Sequence, residues 1–151
     1  MPIEHIRLSK QARDQLIKLK RWTGLKNWNV LCRWALSVSL AEPTPPSITK
    51  IPADGSVEMT WKVFGGTYAD VYWSLLIHRC QQDGIEPTED NLHQQFRTHL
   101  HRGISYLAGD RSIRSIADLL AKVARRGPAA PELPMRSFGE VEPEDEDTDT
   151  E

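Results

Sequence analysis

The sequence predicts a mainly α-helical protein of about five helices, with one short strand at the N-terminus and an acidic tail at the C-terminus. Three observations predict it. Five stretches carry apolar residues at helical spacing, several bounded by a capping residue in front and a glycine behind. Strict alternation of apolar and polar residues is confined to the first residues and to a stretch before Gly65. At Pro128 the composition changes abruptly, and nothing beyond it can bury a core. Residues 1–127 are therefore expected to form one domain and residues 128–151 a disordered acidic tail.

In the segment Ile3 to Leu8, Ile6 and Leu8 fall on one face and His5 and Arg7 on the other, the pattern of a short half-buried strand. Ser9 is a favourable N-cap for KQARDQLIKLKRWT, and Gly24 supplies a left-handed stop, so the first helix runs from about Lys10 to Thr23. Asn27 can cap a second helix, WNVLCRWALSVSLAE, whose apolar residues Trp28, Val30, Leu31, Trp34, Leu36, Val38 and Leu40 point in nearly every direction. Such a helix must be buried all round, which in so short a chain implies that it or its neighbours are covered by another protomer.

The stretch EPTPPSITKIPADG holds four of the ten prolines and reads as a surface connection. SVEMTWKVFGG alternates through Val57, Met59, Trp61 and Val63, which fits either a strand or an extended lead into the next helix. A helix from Thr67 to Asp83 stops at Gly84. Thr88 then caps a helix whose first turn is acidic, Glu89 and Asp90, and which continues through HLHRGISYLAG. The last helix, Ser112 to Arg125, presents Ile113, Ile116, Leu119, Leu120 and Val123 and ends in basic residues.

The composition, 39% hydrophobic and 26% charged, is that of a globular protein. The apolar run Val30 to Ala41 is too short to cross a bilayer, which takes about 20 residues. With charge where a signal peptide would be apolar, the chain is expected in the cytoplasm, away from membranes. Cys32 and Cys80 lie in no CxxC pattern, so neither a disulfide scaffold nor a zinc site is expected.

Net charge is −2 for the whole chain, but residues 1–127 hold 18 Lys/Arg against 12 Asp/Glu and residues 128–151 hold 1 against 9. The excess of positive charge lies in the first 40 residues. On the first helix, Ala12, Leu16 and Leu19 form a narrow apolar stripe, while Lys10, Arg13, Lys18, Lys20 and Arg21 spread over the other side, followed by Lys26. That is either an ordinary solvated face or an electrostatic footprint for phosphate. The order strand, basic helix, buried helix favours the second reading, because it resembles ribbon-helix-helix modules, in which strands pair between subunits and enter a major groove.

Other constellations carry less. His93, His99 and His101 do not converge on a helix, so no metal site is expected. Cys32 reads as core, and Cys80, after His78 and Arg79, is the more plausible reactive thiol. Trp22, beside the basic face, is either core or a stacking platform for an exposed base. Gly65-Gly66 has no nucleotide-loop context, and no catalytic triad or cofactor motif can be argued.

The segments RLSKQARDQLIKLKRWTG, NWNVLCRWALSVSLAEP, SVEMTWKVFGGTYADVYW and HLHRGISYLAGD, in this order over about residues 3–123, resemble the DndE family of the bacterial DNA phosphorothioation system. The resemblance implies a helical, ribbon-helix-helix-related homotetramer that binds DNA, preferentially nicked duplex, through surface lysines. It implies work alongside DndC, DndD and a cysteine desulfurase, which together replace a non-bridging phosphate oxygen by sulfur. Lys10, Lys18, Lys20 and Lys26 match that surface. The expected role is a non-enzymatic DNA-binding subunit, with Lys10, Arg13, Lys18, Lys20, Arg21 and Lys26 as DNA contacts and no catalytic residue, metal or cofactor. The alternatives are a sequence-specific regulator reading bases through His5 and Arg7, and a nuclease or sulfur-transfer enzyme using Cys80 or the three histidines.

Overall fold

The structure, a computed structural model, describes residues 3–126. The elements are β1 (His5–Arg7), α1 (Lys10–Thr23), α2 (Trp28–Ala41), β2 (Glu58–Thr60), the short α3 (Trp61–Gly65), a 3₁₀ turn (Gly66–Tyr68), α4 (Ala69–Gln82), α5 (Glu89–Gly109) and α6 (Ile116–Arg126). The expected acidic tail, 128–151, lies outside the described residues. None of the described helices is long and apolar enough to cross a membrane.

Two helices make the core. α2 lies against α5, the longest helix, and α1, α3 and α4 close around the pair. The two axes approach closely because α5 carries glycine at 103: a Cβ there would lie 1.7 Å from the carbonyl oxygen of Ala35. Leu31, Leu36, Phe96, Leu100, Ile104 and Leu107 are fully enclosed around this crossing. Below it, Trp61 meets Phe64, Trp73 and Phe96 at ring-centroid distances of 5.2–5.5 Å, two of them edge-on.

The apolar circumference of α2 is thus accounted for mostly within one chain. Leu31, Cys32, Ala35, Leu36, Val38 and Ser39 are buried, and Trp28, Val30, Trp34 and Leu40 are half-buried. The surplus apolar surface that the sequence assigned to α2 or its neighbours lies on the neighbours. Val63, Tyr68, Val71 and Leu75 are 46–63% exposed, on α3, the 3₁₀ turn and α4.

The N-terminal strand has the expected facing, with Ile6 buried and His5 and Arg7 exposed. Its partner differs from the intersubunit ribbon of a ribbon-helix-helix dimer: β1 pairs antiparallel with β2 of the same chain, His5 opposite Thr60 and Arg7 opposite Glu58. The alternating segment 57–63 is divided between two structures. Met59 is the inward residue of β2, after which the Thr60 hydroxyl accepts the Val63 N–H and starts one helical turn. Trp61 and Phe64, three apart on that turn, point inward and Val63 outward.

Helix limits follow their caps. The Ser9 hydroxyl accepts the Ala12 N–H (3.1 Å), Gly24 takes φ 75°, and the Thr88 hydroxyl accepts the Asn91 N–H. Asn27 occupies the N-cap position of α2 but makes no side-chain capping bond. The last helix begins later than Ser112, because the Ser112 hydroxyl donates to Asp110 instead. Ser115 caps it: its hydroxyl accepts the Asp118 N–H and donates to the Asp118 carboxylate.

Two arginines hold the C-terminal end of α2, where unpaired carbonyls concentrate negative charge. Arg79, buried, donates to the carbonyls of Leu40, Glu42, Pro43 and Thr44 and to the Asp83 carboxylate, which uses all five of its N–H groups. Arg102 donates to the Ser39 hydroxyl and to the carbonyls of Ser39 and Thr44. The same hydroxyl lies 2.8 Å from His99 Nδ1. These contacts fix the start of the proline-rich connection, and its far end is laced to the β1–α1 corner by Gly55 N–H to Leu8 O and by Asp54 accepting the Lys10 N–H. Arg97 bridges the Arg7 and Ile51 carbonyls.

Two measurements probe this packing. Gly103→Ala is expected to lower stability by roughly 3 kcal/mol in urea unfolding, because α2 backbone must move, whereas Gly109→Ala, with nothing within 4 Å of the new Cβ, stays within about 0.5 kcal/mol. Burial, reinforced by Arg102 and Arg79, lowers the His99 pKa to about 4. The unfolded chain then takes up this proton first, so stability is full above about pH 6.5 and falls by about 3 kcal/mol as pH drops to 4. His101, also lowered by burial, adds in the same direction. His99→Gln should flatten the slope of unfolding free energy against pH in this window.

Candidate nucleic-acid interface

α1 buries one narrow stripe, Ala12, Leu16, Leu19 and Thr23, against the core. At 100° per residue the face opposite that stripe carries Lys10, Asp14, Lys18 and Arg21. Lys10, Lys18 and Arg21 are exposed, and Lys26 is exposed just beyond the Gly24 stop. None of these four cations makes an ion pair among the described residues. Lys10 to Arg21 spans about 16 Å along the helix, whose backbone is held by its own hydrogen bonds and by the Ser9 and Gly24 caps.

The other two residues expected at the interface sit on the flank. Arg13 is half-buried and lies 3.7 Å from the Asp14 carboxylate, a solvent-screened pair. Lys20 is half-buried with its ammonium 3.4 Å above the Trp28 ring, so it ties α1 to the start of α2 as well as adding charge. The six residues thus fall into two sets, four exposed cations without an ion-pair partner among the described residues, three on α1 and Lys26 beyond it, and two that are anchored.

Beside Lys26 lies a shallow groove of about 240 Å³, lined by Asn27, Trp28, Asn29, Glu58, Met59 and Val63. Sequence reasoning missed it because its walls come from α2 and from the β2–α3 corner, some 30 positions apart. Asn29 Nδ2 donating to the Val63 carbonyl holds these walls together. Trp22 is not a free stacking platform: it is half-buried, with the Arg114 guanidinium 5.4 Å over its ring.

On the outward face of the ribbon, Arg7 is 3.2 Å and His5 3.6 Å from the two oxygens of Glu58. The three histidines of α5 are scattered. His99 is enclosed against Ser39, and His101 accepts the Ser9 N–H through Nε2 and contacts the Arg97 carbonyl through Nδ1. His93 is half-buried, with an enclosed and unpaired Nε2. Among the described residues no group of three or more His, Cys, Asp or Glu side chains is placed to hold a metal ion.

Both thiols are in the core. Cys32 is fully enclosed in α2 and burial pushes its pKa up to about 12. Cys80, the candidate reactive thiol, is 1% exposed, and burial together with the Asp83 carboxylate raises its pKa against a smaller opposing effect of Arg79. A thiol in such surroundings stays protonated and out of reach.

The fold and this surface define a class: a small, mainly helical protein that opens on a strand-helix-helix unit, with a cationic first helix and its thiols sealed in the core. The family described as DNA sulphur modification protein DndE matches residues 5–115, and the chain belongs to that family. Among solved structures it is similar to DndE from Escherichia coli B7A, involved in DNA phosphorothioation modification, with 25% identity and a TM-score of 0.60 over 71% of this chain and 98% of that one. A glycine-to-lysine DndE mutant, involved in DNA phosphorothioation, shares the fold at 24% identity and a TM-score of 0.56, over 73% of this chain and 100% of the other. Nothing among curated proteins matches the chain.

Thiol labelling checks the placement of the cysteines. A disulfide reagent at pH 8 is expected to label neither Cys32 nor Cys80 rapidly in the folded protein and both at once in guanidinium. Fast labelling of Cys80 in the native state would contradict its burial.

Proposed function

We propose that this chain is the DNA-binding subunit of a DNA phosphorothioation machinery. In this reading it holds double-stranded DNA, with nicked duplex preferred, against the α1 face while partner proteins of the DndC and DndD type, supplied with sulfur by a cysteine desulfurase, carry out the chemistry. The observation that carries the proposal is the set of exposed, unpaired cations Lys10, Lys18 and Arg21 on a helix whose other side is locked into the core, with Lys26 exposed just past its end. Such cations displace the counterions condensed on DNA phosphates, a contact that is strong at low salt and blind to sequence. A nick lowers the cost of bending the duplex onto a rigid face. Base reading through the ribbon has less behind it, because Arg7 is already paired with Glu58, which also lies 3.6 Å from His5.

The reading includes a homo-oligomer, a tetramer in line with the family resemblance. Val63, Tyr68, Val71 and Leu75 supply exposed apolar side chains for it, Val71 and Leu75 four apart on α4 and Tyr68 in the turn just before that helix. Several copies would align several cationic helices on one DNA, multiplying a weak contact. No side chain of the described domain is assigned a chemical step.

The test is an anisotropy titration of intact, nicked and single-stranded forms of one DNA at several salt concentrations, beside light-scattering mass. Tightest binding to the nicked duplex by a particle several times 17.2 kDa is the expected result. Lys18→Ala with Arg21→Ala should reduce the slope of log K against log salt by about 1 to 2 without unfolding the protein. Unchanged affinity of that variant at low salt would remove α1 from the interface.

A further inference from the structure

The family match ends at residue 115, and E. coli DndE is matched over 98% of its own length by 71% of this chain. Helix α6 and residues 127–151 therefore extend beyond what the family accounts for. α6 does not project away from the domain. It packs against α1, with Leu119 buried, and its approach is fixed by Arg114 over the Trp22 ring and by an ion pair between Lys122 and Asp110. The chain thus leaves the described domain from a helix seated on the same element that carries the free cations.

The C-terminal segment beyond α6 is the most acidic part of the sequence. Residues 128–151 hold nine acidic residues and one arginine, and eight of the nine fall within residues 140–151. That is about one negative charge per 5 Å of extended chain, against one per 3.4 Å along a DNA strand. Thirteen residues separate the end of α6 from Glu140, a reach of at most about 45 Å, while α1 is about 21 Å long.

We infer that residues 140–151 occupy the cationic face of α1 when DNA is absent and compete with DNA phosphates for Lys10, Lys18, Arg21 and Lys26. The inference rests on α1 as the DNA-binding face and adds a control to it. An internal polyanion raises the threshold for weak, sequence-blind contacts, so that only DNA able to engage several helices at once, or to bend onto them, displaces it. Salt weakens both contacts together, so the competitor makes the net salt dependence of DNA binding shallower than the bare face would show.

The experiment compares the full chain with a full chain in which the eight acidic residues of 140–151 are changed to their amides, a change outside the described domain. Backbone ¹⁵N–¹H spectra without DNA are expected to differ at residues 10–26, and the differences to vanish near 0.5 M salt. The amide version should bind nicked duplex roughly three- to tenfold more tightly at low salt, with a steeper salt slope and convergence at high salt. Identical α1 resonances in the two chains would overturn the inference, whatever the DNA titration reads. Tighter DNA binding without any change at α1 would also overturn it, assigning the effect to overall charge. Differences at α1 with no DNA binding by either chain would support the contact and instead sink the reading of α1 as a DNA site.

Discussion

Gly103 lets α5 approach α2 until a side chain of even one carbon would meet the Ala35 carbonyl, and the remaining contacts of the domain are arranged around that crossing. Close packing of the two backbones brings Leu31 and Leu36 against Leu100, Ile104 and Leu107 with no room for water. It also sets the distance at which polar groups on α5 meet their partners. Arg102 and His99 reach Ser39 only because the helices touch, and Arg97 reaches the end of β1 from the same helix. α5 is therefore both half of the core and the ruler that places the N-terminal segments.

The cationic face depends on this arrangement indirectly. α1 is held by a narrow apolar stripe, by Ser9 between its own helix and His101, and by Asp54 on the Lys10 N–H. None of these attachments uses the side chains of Lys10, Lys18 or Arg21. The electrostatic surface is thus separated from the forces that fold the protein, so charge there can be changed with little loss of stability. Arg79 and Arg102 illustrate the opposite use of the same chemistry: their charge is spent on carbonyls at the end of α2 and is not offered to a ligand.

Much of this was legible in the sequence. Ser9 and Gly24 bracket α1, and Thr88 opens α5, because capping is a local interaction that residue type and position reveal. The basic side of α1 follows from helical periodicity alone. What could not be read depends on contacts between distant residues. Ser112 has the residue type of a helix start, but its hydroxyl is taken by Asp110, and Ser115 serves instead. The partner of β1 lies 55 positions from His5, at Thr60, and nothing local distinguishes it from a strand of a second copy. The periodicity of α2 asks for covering from outside because the amount of apolar surface that α5 and α3 lay over it is a property of the packed chain. Nor does spacing show that Glu58 stands opposite Arg7, or that Lys20 rests on Trp28.

The pairing of β1 with β2 has a kinetic side. The ribbon closes a loop that contains the whole of α1 and α2, and the Ala35–Gly103 crossing joins residues 68 positions apart. Helical proteins with mostly local contacts fold in microseconds to milliseconds, whereas non-local pairings must first meet the entropy of closing long loops. This domain is helical in content, yet its ribbon and its central helix crossing are both non-local. Its helices can form early and locally, and the first strand docks only after the chain has been made through Thr60, so during synthesis the N-terminal residues wait for a partner that emerges more than fifty residues later.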